Sequence, residues 1–239
     1  MAKLHDEWTV YPHGPVERID DGILSVEGEI VMPLGRFPRR MTVVALTGSR
    51  SVVFSPVCLS ERAMRDIESL GTPAFMVVPN GFHRLDARPW KARYPAIKIL
   101  CPPGARERVE KAVPVDATRD VLADPDVDFV VAHGMAEAEA ALLVRRQAGT
   151  TLVINDLISN VRHPKGIGAN IMARLFGFGV HGPRMAREVR WLFVKDKAAL
   201  AAQLRDWAAI LDLKRIIPSH GEIIDAPAAV LQRIASDLD

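Results

Sequence analysis

TLVIND (residues 151–156) and RIIPSHGE (215–222) decide how the chain reads. Each is a compact apolar run that stops abruptly on polar groups, Asp156 in the first, His220 and Gly221 in the second. Four to eight aliphatic residues bounded in this way read as a strand buried on both faces, which tolerates polar side chains mainly at its ends. Working outward, the same form recurs in DFVVAHG (128–134), AIKILCPPG (96–104) and AFMVVPN (74–80). His133 and Asn80 therefore also follow strands, with His83 three residues past Asn80, and Ser55 ends the run VVF (52–54). If these strands point the same way, three imidazoles, a carboxylate and an amide meet at one rim.

The rest of the chain frames these strands. Short β-type runs at Val16–Ile19, Ile23–Met32, Met41–Thr47 and Val52–Val57, divided by Gly, Pro and Arg turns, predict an antiparallel meander. SERAMRDIESLG (60–71) reads as a helix with Ser60 as N-cap and Gly71 as stop. Further helices are expected at 87–94, 104–112, 169–176 and 197–211, and from Pro227 to the end. In the helix at 197–211, Leu200, Leu204, Trp207 and Leu211 form one stripe behind an Asp196 cap. The Gly-, His- and Arg-rich segment 160–183 reads as an insertion or lid over one end of the sheets. Strands first, then alternating strands and helices with no linker, predict a single α/β domain over residues 1–239.

Composition excludes little but sets the setting. With 239 residues, 49% hydrophobic and 25% charged, the balance is that of an ordinary globular chain, and a net charge of +2 is too mild to argue for nucleic acid or an anionic membrane as partner. No apolar run nears the roughly 18 residues that span a bilayer, and the start MAKLHDEWTVYPHG lacks a signal-peptide core. The expectation is a cytoplasmic protein whose partner is a small-molecule substrate, with a homodimer left open. Cys58 and Cys101 have no metal-binding spacing.

Imidazole nitrogen and carboxylate oxygen together suit zinc, iron or manganese. Each residue also has a plainer reading. A single His at a strand end is more often a hydrogen-bonded loop or core residue, and Asp156 is equally suited to capping the turn into 157–161. His5, His13, His163 and His181, in polar or Gly/Pro surroundings, read as surface groups. There is no G-x-S-x-G elbow and no phosphate-binding loop, and GIGAN (166–170) does not directly follow a strand.

VVAHG with His133, LVIND with Asp156 and RIIPSHGE with His220 resemble, in order and spacing, motifs of the metallo-β-lactamase superfamily. VVPNGFH (77–83) and W-x-x-x-YP (90–95) resemble an uncharacterised branch of it. The resemblance implies a four-layer αββα sandwich with metal at one edge between two sheets. Where active members carry His-x-His-x-Asp-His, this chain reads PNGFHRLDARPW (79–90), so Asn80 falls on the first His. Only a shifted alignment makes His83 a ligand, with Asp86 as a distant second. Neither of two metal sites is then complete. One keeps His133 and Asp156, with His83; the other keeps Asp156 and His220.

Two readings follow. In the first, one zinc or iron ion is held by His83, His133, Asp156 and His220. Asp156 and His133 take part in catalysis, with Asn80, Ser55 and Asp86 at the rim or behind it. A metal-bound water then cleaves a small ester, thioester, amide or phosphoester, with Arg162, Lys165, Arg174, Arg184, Arg187 and Arg190 either attracting an anionic substrate or forming a solvated face. In the second, the fold is a metal-free binding or scaffold module whose former ligands are tied by hydrogen bonds.

Overall fold

A computed structural model describes residues 4–32, 35–164 and 167–239. The early β-type runs form the expected antiparallel meander: β1 (Glu17–Asp20), β2 (Ile23–Met32), β3 (Gly35–Leu46) and β4 (Arg50–Phe54). β5 (Thr72–Val77) and β6 (Lys98–Leu100) join in parallel, completing a sheet of order β1-β2-β3-β4-β5-β6. Parallel neighbours need crossovers. These are supplied by α1 (Glu61–Glu68) and α2 (Ala87–Arg93), with α3 (Arg106–Glu110) following β6.

A second sheet has the order β10-β9-β8-β7, made of β7 (Val127–Val131), β8 (Ala140–Arg146), β9 (Gly149–Ile154) and β10 (Leu213–Pro218). β8 is antiparallel to both β7 and β9, so β7, β9 and β10 all run the same way. β8 is absent from the sequence reading because its approach, MAEAEA, has the composition of an exposed helix. Between β9 and β10 lie α4 (Ile167–Phe176), a π-helical turn at Val189–Phe193 and α5 (Lys197–Ala208); α6 (Pro227–Leu238) closes the chain.

Strand alternation sorts the apolar side chains into three cores. Val52, Phe54, Val77, Leu142, Val153 and Ile217, drawn from both sheets, pack between them. Their neighbours in sequence, such as Val53 and Met76, turn outward onto Met64, Ile67 and Trp90 of α1 and α2. Leu152, Ile154 and Ile216 turn outward onto Leu200 and Leu204 of α5 and Leu231 and Ile234 of α6. Helices, sheet, sheet, helices: the architecture is the four-layer αββα sandwich.

α5 begins as read, the Asp196 carboxylate accepting from the Ala199 amide at 2.9 Å, but it stops at Ala208. Leu211 consequently leaves the stripe and is fully exposed. α4 and the aromatic residues after it fall within segment 160–183, of which Lys165 and Gly166 lie outside the described residues. Among the described residues, no helix is long and apolar enough to cross a membrane.

Candidate metal centre

Topology selects which strand ends meet. β9 and β10 are parallel neighbours, about 4.8 Å apart, so Asp156 and His220 leave adjacent strands at the same edge. The turn after β5 brings His83 to them from the other sheet. His83 Nε2 lies 3.4 Å from Asp156 Oδ1 and 3.1 Å from His220 Nε2, and His220 Nε2 lies 3.2 Å from Asp156 Oδ1. Among the described residues these three form the one group of His, Cys, Asp or Glu side chains close enough to share a metal ion.

Each member is held from behind. Ser55 follows β4 with a positive φ of 56°, a strained conformation for a non-glycine residue, and its Oγ lies 3.0 Å from His83 Nδ1. His220 Nδ1 donates to the Pro38 carbonyl of β3 at 2.8 Å, which leaves Nε2 with its lone pair toward the cluster. Gly221 permits this turn: its φ is 97°, and a Cβ there would stand 2.1 Å from the Asn160 carbonyl oxygen. Asn80 makes an Asx-type turn, its Oδ1 accepting from the Phe82 and His83 amides at 2.8 and 3.1 Å. Its Nδ2 donates to Asp156 Oδ2 at 2.6 Å and to Glu139 Oε2 at 2.9 Å. Glu139 Oε1 in turn accepts from the Asp156 amide at 2.9 Å.

The charges are correspondingly polarised. Burial opposes ionisation of Asp156, but the His83 charge and hydrogen bonds from His220 and His83 outweigh it and hold the carboxyl well below its usual range. Glu139, 3% exposed, is pushed well above the usual range by burial and by Asp156. Two carboxyls in one pocket are thus pushed in opposite directions. Burial lowers the His83 pKa despite Asp156. Burial also opposes protonation of His220, yet Asp156 and the Pro38 carbonyl prevail and raise it.

The donor set fits a metal. Two imidazoles and one carboxylate are ligands of catalytic zinc and of non-haem iron, with coordination positions left open. An ion about 2.0–2.1 Å from three tetrahedral donors would hold them about 3.3–3.4 Å apart; the three separations here are 3.1, 3.2 and 3.4 Å.

Solved structures bear on the scaffold. The chain is similar to the metallo-β-lactamase FIM-1 of Pseudomonas aeruginosa in its mono-zinc form, at 14% identity and a TM-score of 0.61 over 94% of this chain and 96% of that one. It is similar to the metallo-β-lactamase DIM-1 exposed to ceftazidime, at 14% identity and a TM-score of 0.63 over 97% and 100% of the two chains. A metallo-β-lactamase from Pontibacter korlensis aligns at 11% identity and a TM-score of 0.62 over 93% and 97%. The fold is that of the metallo-β-lactamases. No protein-family model and no curated protein sequence matches the chain.

On this metallo-β-lactamase fold the expected site residues part company. Asp156, His220 and His83 converge, with Ser55 and Asn80 in direct contact behind them. His133, expected among the ligands, does not join them: it is exposed, and its amide donates to Gln203 of α5 at 2.7 Å. The reason is strand order, since β7 is the edge strand and lies two strand spacings from β9. The strand between them, β8, runs the opposite way and presents its beginning at this edge, which is where Glu139 sits. Asp86 stands one layer further back, fully buried and paired with Arg39 and His5, each at 2.6 Å. Sequence reading missed Glu139, whose one signal was an acid directly before the apolar run AALLV.

The cluster opens into a cleft of about 470 Å³ whose walls include Phe37, Phe82, Phe176, Phe178 and Phe193. Glu188, the second residue missed, lines the same cleft, and its Oε2 is buried with no hydrogen-bond partner among the described residues. The basic flank lies elsewhere. Arg162, Arg174, Arg184 and Arg187 are exposed, and none of these, nor Arg190, lines the cleft. Arg162 faces Glu222, Arg174 bonds Asn170, and Arg187 and Arg190 bond the Leu175 and Asp237 carbonyls. This is the solvated face; Lys165 is outside the described residues.

Proposed function

We propose that the chain is a metal-dependent hydrolase of the metallo-β-lactamase fold that holds one zinc or iron ion and cleaves a small ester, thioester, amide or phosphoester. The observation that carries this reading is the triangle of His83 Nε2, His220 Nε2 and Asp156 Oδ1, whose sides match one face of a tetrahedral site. That FIM-1, a protein of the same fold, is described in a mono-zinc form supports a single ion.

His83 and His220 would bind through Nε2, each fixed by the partner of its Nδ1, and Asp156 through Oδ1 while Asn80 holds Oδ2. An ion so held supplies Lewis acidity, polarising the scissile group and acidifying a water molecule to near neutrality. Asp156 would contribute negative charge to the centre, and Glu139 keeps the Asp156 backbone and Asn80 in register. His133 has no part in this arrangement. The test is hydrolysis by tag-free protein stripped and reloaded with zinc or iron, using chromogenic esters, thioesters, anilides and phosphoesters. Metal-dependent turnover of one class, abolished in His220→Ala, is expected; no turnover of any class in loaded protein contradicts the reading.

A second reading is a metal-free module, favoured by the fact that the same atoms lie at hydrogen-bonding distance from one another. In that state protonated His220 donates to Asp156 and His83. The absence of metal from tag-free protein, together with unchanged stability in chelator, would favour it.

A further inference from the structure

Five phenylalanines separated by up to 156 residues in the chain converge on the metal-site cleft. Phe37 packs edge-on against Phe178 with ring centroids 5.3 Å apart, and Phe82 against Phe193 at 5.7 Å. Phe176 extends the wall beside Phe178. The cleft of about 470 Å³ falls in the size range of small-molecule sites. Of its two arginines, Arg39 pairs with Asp86 at 2.6 Å, and the Arg84 Nε donates to the Gly81 carbonyl at 2.9 Å.

The polar feature is Glu188. Its Oε2 is buried and lacks a hydrogen-bond partner among the described residues, and an unsatisfied buried oxygen marks a place where a further group is expected. Burial, with the charge of Asp156, raises its pKa. A long apolar body suits the aromatic walls.

We infer that the substrate is an acyl compound with a straight apolar chain, the chain lying between the Phe37–Phe178 and Phe82–Phe193 pairs and its polar head hydrogen-bonded to the Glu188 carboxyl. This rests on the hydrolase reading for what happens at the head, but binding of the chain does not.

The test is calorimetric titration of metal-free protein with N-methyl amides of straight-chain acids from four to ten carbons, whose N–H can donate to the Glu188 oxygen and which no turnover can remove. Affinity is expected to rise roughly threefold to fourfold per added methylene until the cleft is filled. Phe82→Asp, at a position 43% exposed and therefore tolerant of charge, should flatten that series. Glu188→Ala should weaken every member by a similar factor of roughly two to ten while leaving the slope intact, and Glu188→Gln should retain most of the binding. Affinity independent of chain length in the unaltered protein overturns the inference, whatever the variants do. So does a slope and affinity that Phe82→Asp leaves unchanged. Chain-length dependence without hydrolysis by loaded protein would instead uphold the cleft and refute the hydrolase.

Discussion

Replacing Asn80 with leucine, a side chain of similar shape, removes the clamp that joins both sheets at the site. Asn80 is 5% exposed and makes four hydrogen bonds: to Asp156, to Glu139, and from the Phe82 and His83 amides. A hydrogen bond to an ionised group contributes about 1.5–3 kcal/mol and a neutral one about 0.5–1.5 kcal/mol. The bond to Asp156 is of the first kind. Because a quarter of the Asp156 side chain is open to the cleft, water can replace part of what is lost there. Asn80→Leu is therefore expected to cost about 3–5 kcal/mol, a large part of the roughly 5–15 kcal/mol that stabilises a typical domain. Urea unfolding at pH 7, followed by circular dichroism, reads this as a lower midpoint at unchanged slope. Asn80→Asp separates shape from donor chemistry: it keeps the acceptor for the turn but sets a carboxylate against Asp156 and Glu139, and should also destabilise. A loss below about 1 kcal/mol for both variants would refute the clamp.

The α5 boundary predicts a contrast, with Leu204→Ala costing about 2–5 kcal/mol and Leu211→Lys staying within about 0.5 kcal/mol; equal costs in denaturant melts would mean that the helix runs on. Asp20, mostly buried against Arg215 at 2.5 Å, has a lowered pKa because that hydrogen bond and charge outweigh burial. Its stabilisation is thus complete above the unfolded carboxyl value of about 3.9 and is lost as pH falls through the lower folded value. The urea-midpoint gap between the unaltered protein and Asp20→Asn should hold from pH 7 to 5 and shrink below about 4; a gap that widens in acid contradicts this. Asp86→Ala, which strands buried Arg39, should cost about 3–5 kcal/mol, and a near-neutral melt would show that the pair is not buried as described. His133→Ala should change neither melting nor metal content.

Much of the sandwich is legible because its strands are buried on both faces, so their ends stand out as abrupt polar stops after LVI, VVA and RIIP. What that pattern carries is direction, not order across the sheet. His133, Asp156 and His220 do end strands that run the same way, but adjacency of β9 and β10 unites only two of them. The opposite polarity of β8 is invisible until the sheet is assembled, and with it the arrival of Glu139. Asn80 and Ser55 were found because they too sit at strand ends. Leu211 fits the helical period, yet the helix has already ended at Ala208. The aromatic cleft leaves no local trace at all: Phe37, Phe82 and Phe193 belong to three distant segments, and each alone resembles an ordinary apolar residue.

Whether one ion sits among His83, Asp156 and His220 decides between the hydrolase and the metal-free module. Elemental analysis of tag-free protein, purified and dialysed against buffer containing trace zinc and iron, tests this directly alongside His220→Ala and His133→Ala. The expected result is one equivalent of zinc or iron per chain, lost in His220→Ala and kept in His133→Ala. Metal that survives His220→Ala, or that leaves with His133→Ala, would contradict the assignment, as would folded protein that takes up no metal.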